Sequence, residues 1–382
     1  MNFPSFGDAA VYDQLGRACA DALRGRGGTV FDACYHPIRP RGIALVMALP
    51  HLVTSDPVAA DYVMLALNVL FFALALAALA AGLEAEPSLW PGRERRLLLA
   101  SFAVLLPNLV SHLPVRLGDL PSLAVFLVGV ALGMRTAASR LEARPLAVRY
   151  AVMGLLCAAA VLLKVTYFVY GLVFAALLLL LDGNQTSERR RLASGAAFLA
   201  GFSLTALQFL DVFLHTGHLA LFDAAYMLPF YQPQRGLAIE AVFFTMPAPG
   251  AYTVRPDGPL GFASLVALRL FRGIFGFEWA VYRGPAHAPP LRVLTGGDLL
   301  WAWGLVLLWA AVTVAVARRA GRPLAVLLVT GGAVAFLTAV LGHTELRYYA
   351  LSRAVWWLTL AAAGAWMLRR IRARAARRPE AT

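Results

Sequence analysis

Apolar residues run along this chain in blocks of roughly 16 to 26 positions, and each block stops at a short cluster of arginines. A globular α/β chain shows apolar runs of about four to eight residues instead. The blocks predict membrane-spanning helices over 58–83, 97–112, 119–134, 147–163, 165–181, 192–212, 298–317, 324–341 and 351–368. The fold class that follows is an all-α polytopic membrane protein, a helical bundle with about nine transmembrane helices and extracytoplasmic loops. Four regions result: 1–57, a polar segment with short interfacial helices; 58–212, a six-span N-terminal bundle; 213–297, a long loop; and 298–382, a three-span bundle with a basic tail. A further apolar stretch at 260–277 contains Arg269 and Arg272 and reads as an interfacial or re-entrant helix.

Composition agrees with the pattern. Of 382 residues 60% are hydrophobic and 14% charged, with a mean hydropathy of +0.68, too few polar groups to clothe a water-facing surface. The formal charge of +13 raises the question of nucleic acid. The arginines sit at span ends rather than in a basic domain, so no nucleic-acid partner is expected. Lysine occurs once, at Lys164, against 33 arginines. Cys19, Cys34 and Cys157 show no metal-ligand spacing; Cys19 and Cys34 can pair if their segment faces an oxidising compartment.

Arginine placement orients the spans. The connections holding Arg93, Arg95 and Arg96, then Arg135, Arg140 and Arg144, then Arg189 to Arg191, then Arg318, Arg319 and Arg322, and the tail from Arg369, all fall on one side of the bundle, which is read as cytoplasmic. The opposite face carries residues 1–57, the turns near Arg116 and Lys164, the loop 213–297 and the loop from His343 to Ala350. This places the protein in a bacterial plasma membrane with its polar loops outside and its C-terminus in the cytoplasm. Residues 1–57 would then be translocated with no apolar segment before them, so an upstream helix is expected.

The polar residues of that outer face are the candidates for chemistry. Asp8 opens a helical stretch, DAAVYDQLGRACAD; it can cap that helix or act as an acid–base group. Asp13 lies five positions on, roughly 140° around the helix, and either orients the site or faces solvent. Tyr35 and His36 stand in the extended segment YHPIRPRG. Arg116 and Asp119 flank Gly118 before a span, where a charge is costly unless paired or used. The segment HTELRYY brings His343, Glu345, Arg347 and Tyr348 together, and the fork of an arginine suits a pair of phosphate oxygens. The aromatic residues Tyr226, Phe230, Tyr231, Tyr252, Trp279 and Tyr282 of loop 213–297 can stack on a sugar or lie against lipid.

On GDAAVYDQLGRACAD with YHP, GDLPSLAVF and HTELRYY, the chain resembles the GT-C superfamily of integral membrane glycosyltransferases, which take sugars from polyprenyl-phosphate donors; the HTELRYY segment is of the kind seen most clearly in the mannosyltransferase branches, and the branch and its sugar stay open. The resemblance implies catalytic roles for Asp8 and Asp119, and a substrate-binding set of Asp13, His36, Arg116, His343, Glu345, Arg347 and Tyr348. It implies a polyprenyl-phosphate sugar as donor, membrane lipids as surroundings, and a glycan, lipid or protein as acceptor. Two features depart from the family. The helix that precedes the first loop is missing, and Asp8 stands alone until Asp13, so a divalent metal is not supported by a contiguous acidic pair. The competing class is a transporter or flippase for a lipid-linked or anionic substrate, which would place charges deep in several spans; here the mid-span regions are nearly free of charge. A non-enzymatic membrane assembly protein would need none of the outer polar residues.

Overall fold

The computed structural model describes residues 8–85, 118–223, 247–248, 252–253, 258–275, 296–319, 321–340 and 349–375. The chain divides into two compact units, one of residues 1–82 and 107–236, the other of 83–106 and 237–382. Among the described residues the structure is helical apart from a two-residue antiparallel pair, Pro247–Ala248 with Tyr252–Thr253.

The first unit opens with α1 (Asp8–Leu23), the single turn α2 (Val30–Ala33) and α3 (Arg41–Val53). Ala9, Tyr12, Leu15, Cys19 and Ala20 recur every three or four positions, which puts them on one face of α1. That face packs on Ile43, Ala44, Met47 and Ala48 of α3. At the crossing Gly16 lies directly on the Met47 carbonyl, and any side chain there would collide with it. The Cys19–Cys34 disulfide, with Cα atoms 4.5 Å apart, closes the loop between α1 and α2.

The rest of this unit is a bundle of α4 (Pro57–Leu83), α5 (Asp119–Ala138), α6 (Ala143–Leu163), α7 (Tyr167–Leu181), α8 (Glu188–Phe202) and α9 (Ala206–Thr216). The tightest crossing is α6 on α8, where Gly154 faces the Phe198 carbonyl and Gly201 faces the Ala151 carbonyl, backbone against backbone. Helices in lipid gain nothing from hiding apolar surface from one another, so contact area won by small residues is what holds such pairs. α8 and α9 join through the short 3-10 turn Ser203–Thr205 into one apolar run of 29 residues.

The second unit contains α10 (Gly258–Phe275), α11 (Gly296–Arg319), α12 (Arg322–Val340) and α13 (Ala350–Ala375). Val266, Leu270 and Ile274 of α10 pack against Val306 and Trp309 of α11, Ala335 and Ala339 of α12, and Tyr349. Arg269 is fully buried and donates from a terminal guanidinium nitrogen to the Ala339 carbonyl at 3.0 Å.

Among the described residues five helical segments are long and apolar enough to cross a membrane: Pro57–Leu83, Asp119–Ala138, Ala143–Leu163, Glu188–Thr216 and Arg322–Val340. The expectation of about nine spans is corrected accordingly. The block at 165–181 forms a helix of 15 residues, Tyr167–Leu181, because Asp182 ends it and Lys164 to Thr166 turn before it. At about 1.5 Å per residue it is too short for a hydrocarbon core of about 30 Å. The blocks at 298–317 and 351–368 lie in α11 and α13, neither of which is among the five. α13 carries Arg353 in its first turn and Arg369, Arg370, Arg372 and Arg374 towards its end. The block at 97–112 lies outside the described residues. What stands is an all-helical, multi-span membrane protein.

Candidate functional site

Both ends of the first unit are fixed by named contacts. At one end Asn184 donates to the carbonyls of Thr136 (3.0 Å) and Ser139 (2.8 Å) and to Asp182 Oδ1 (2.8 Å), and its own Oδ1 accepts from the Leu141 amide at 2.9 Å. Tyr150 donates to Asp182 Oδ2 at 3.1 Å. These bonds gather the end of α5, the start of α6 and the α7–α8 connection, the region of Arg135, Arg140, Arg144 and Arg189 to Arg191. At the other end Asp119, first residue of α5, pairs with Lys164 just after α6. Both side chains are nearly buried, with 10% and 12% exposed.

α1 and α3 sit at this second end. A side chain at Gly118 would meet the Leu163 carbonyl at 3.1 Å and Ile43 Cγ1 at 3.2 Å. Ile43 belongs in turn to the cluster of Ala9, Tyr12, Met47 and Met64, against which Leu163 also packs. A continuous set of contacts therefore runs from the first turn of α1, which Asp8 opens, through Ile43 and Leu163 to Gly118 and the Asp119–Lys164 pair. The backbone of that first turn and the start of α5 thus share packing neighbours, and the lone lysine joins Asp119.

Asp13 turns away from that corner. Its Oδ2 accepts from Arg17 Nε at 3.0 Å and its Oδ1 accepts from His51 Nε2 at 2.9 Å. Burial holds the His51 imidazole below its ordinary pKa; Arg17 adds to the effect, while Asp61 and Asp21 oppose it without reversing it. His51 is therefore neutral at pH 7, and as the carboxylate can only accept, Nε2 carries the hydrogen. Asp13 thus ties α1 to the end of α3. His36 accepts the Ile38 amide on Nδ1 at 3.2 Å and forms an isolated bridge with Arg39, so it shapes its own turn. Arg39 places its guanidinium 4.9 Å from the centre of the Tyr12 ring.

Arg116, His343, Glu345, Arg347 and Tyr348 lie outside the described residues. Among the described residues no group of three or more His, Cys, Asp or Glu side chains could hold a metal ion. Sequence reasoning placed Lys164 and His51 on this face but named neither as a candidate site residue. The signal for Lys164 was its being the single lysine beside 33 arginines; His51 had none beyond the Pro50–His51 step at the end of an apolar helix.

No protein-family model, no curated protein and no solved structure matches the chain.

Proposed function

We propose that the protein is a membrane-embedded glycosyltransferase that moves a sugar from a polyprenyl-phosphate donor to a lipid, glycan or protein acceptor at the extracytoplasmic face. The observation that carries this reading is the Asp119–Lys164 pair at the ends of apolar spans, beside Gly118, where Ile43 links it to the α1–α3 layer. A carrier with an isoprenoid tail and a phosphate head needs such a boundary, since its tail stays in hydrocarbon while its phosphate meets cations. The resemblance of the Asp8, Asp119 and His343 segments to GT-C enzymes supplies the reaction class. The arginines at the opposite end of the first unit support a cytoplasmic assignment for that end and for the tail. The Cys19–Cys34 disulfide supports an oxidising compartment for the corner.

In the proposed reaction the acceptor hydroxyl gives its proton to the Asp8 carboxylate and its oxygen bonds to the anomeric carbon. The bond from that carbon to the phosphate oxygen breaks, and the carrier phosphate leaves with the electron pair. Inversion at carbon follows from a direct displacement. The departing phosphate needs positive charge, a role that the resemblance gives to Arg347 and that Arg116 can share. Asp119, held by Lys164, orients the acceptor. The resemblance gives His343, Glu345 and Tyr348 to substrate binding as well, whereas Asp13 serves the tie from α1 to α3 and His36 its own turn.

The test is reconstitution in liposomes with a panel of labelled polyprenyl-phosphate sugars. Asp8→Asn keeps most capping ability and removes the base, so turnover should fall by roughly 100-fold or more while the protein stays monodisperse. Asp119→Lys with Lys164→Asp restores an ion pair in reversed order; folding should survive and transfer should not. Carrier lipid crossing the bilayer with no bond broken would replace this reading by a flippase. Wild-type transfer in Asp8→Asn would remove Asp8 as the base.

A further inference from the structure

The second unit carries a patch of positive charge that the proposed transfer does not use. α11 closes on Arg318 and Arg319, α12 opens on Arg322, and α13 runs through Arg369 and Arg370. All five side chains are exposed. The Ser352 hydroxyl donates to the Gly331 carbonyl at 2.9 Å and Val355 packs over Gly331, so α13 lies along α12. Further along α13, Trp366 reaches the end of α11. The guanidinium carbon of Arg319 lies 4.8 Å from the centre of its ring, and that of Arg370, one turn on from Trp366, lies 4.5 Å from it. One indole thus gathers two guanidinium groups from two helices.

The surrounding sequence offers this patch little negative charge. No Asp or Glu occurs from 299 to 344 or from 346 to 379. Among the described residues no carboxylate pairs with Arg318, Arg319, Arg322 or Arg370. The negative ends of α11 and α13 favour the arginines there, whereas Arg322 opens α12, where the helix dipole adds to its charge. The two cations on Trp366 stand no further apart than their two ring distances together, comparable to the screening length of about 8 Å in physiological salt, so they repel unless an anion lies between them. The depth of the patch is set as well. α12 is long and apolar enough to cross a membrane, so Arg322 marks a boundary of hydrocarbon. Met367, Leu368 and Ile371, interleaved with Arg369 and Arg370, are exposed. A soluble anion would leave these apolar side chains in water, whereas a phosphate carried on acyl chains covers both kinds of surface.

We propose that this patch binds an anionic phospholipid, whose phosphate lies between Arg319 and Arg370 while its acyl chains lie along the apolar residues of α13. The guanidinium forks supply paired N–H donors to the phosphate oxygens, and the Trp366 ring holds both forks in place. The bound headgroup fastens the end of α11 to α13. The site depends neither on sugar transfer nor on which leaflet this end of the unit meets.

Native mass spectrometry of the full chain in a nonionic detergent tests this, with phosphatidylglycerol and phosphatidylcholine of identical chains added in turn. Phosphatidylglycerol should be retained about tenfold or more in preference. Arg319→Gln with Arg370→Gln should cut that preference by about tenfold, whereas Arg189→Gln with Arg190→Gln, the same loss of charge in the first unit, should leave it intact. Arg319→Lys with Arg370→Lys keeps the charge and serves if the first pair fails to fold; it should lose about threefold or more, because an ammonium has no planar fork to stack on the ring and grip the phosphate. Equal retention of the two lipids, an equal loss in the Arg189 and Arg190 pair, or wild-type preference in the lysine pair overturns the proposal. Displacement of the lipid by glycerol phosphate or by an oligonucleotide at the same concentration would give the patch to a soluble anion and overturn it too.

Discussion

His51 shows how a single residue sets a local pH response. Burial favours its neutral form, so its folded-state pKa lies below the ordinary value of about 6.5. The sign follows from proton linkage: the unfolded chain takes up a proton first as pH falls. The stability that neutral His51 contributes is fully present above about pH 6.5 and is lost progressively below it. Hydrogen exchange in Met47 to Val53 should therefore quicken as pH drops from about 8 to about 5.5, beyond the intrinsic change, and His51→Gln should remove the response. A response of α3 that survives in His51→Gln would assign the titration to another group.

Among the elements, the connections are as decisive as the helices. Asn184, in the α7–α8 connection, uses both amide hydrogens and its oxygen to tie the end of α5 and the start of α6 into one knot. Asn184→Ala takes this partner from the Leu141 amide and the Ser139 carbonyl, while the Thr136 carbonyl still accepts from the Ser139 amide. The expected cost is about 2–3 kcal/mol, since buried groups left unpaired lose their full solvation. Equilibrium unfolding in mixed micelles measures it, and a loss under about 0.5 kcal/mol would mean that lipid or water replaces the amide. The apolar blocks behind α4, α5, α6 and α12 were legible because bilayer thickness imposes a run of about 20 residues. Reading 165–181 as a span failed because Val165 and Thr166 look apolar enough to continue a helix, whereas a turn after Lys164 delays its start to Tyr167. At the candidate site, helix starts at Asp8 and Asp119 were visible as an acidic residue before an apolar run. Their company was not: Lys164 meets Asp119 across 45 positions and Arg41 meets Asp211 across 170, and only packing decides such pairs. The Asp211–His215 spacing of four was visible, but nothing in it points to Phe31 and Tyr35 on either side of the ring.

For the whole molecule, the first unit has two chemically different ends, and this polarity is what a membrane orientation needs. One end holds the disulfide, the Asp119–Lys164 pair and the stacked rings of Phe31, His215 and Tyr35; the other holds the Asn184 knot amid Arg135, Arg140, Arg144 and Arg189 to Arg191. Cationic connections stay on the cytoplasmic side because moving several guanidinium groups through hydrocarbon is costly. The disulfide adds an independent argument, since thiols in a reducing cytoplasm stay unpaired. Both criteria bear on the proposed orientation, in which the disulfide end faces outside, and they rest on different chemistry. Gly28 and Thr186 report the two ends directly: both are exposed, and a Cβ at Gly28 meets nothing within 4 Å. In intact cells a membrane-impermeant maleimide should label Gly28→Cys and leave Thr186→Cys unlabelled until the membrane is permeabilised. Cys157 is buried and Cys19 and Cys34 are bonded to each other, so the introduced thiol dominates the signal. Labelling of Thr186→Cys alone would reverse the unit, put the disulfide in the cytoplasm and remove the extracytoplasmic corner on which the proposed transfer depends.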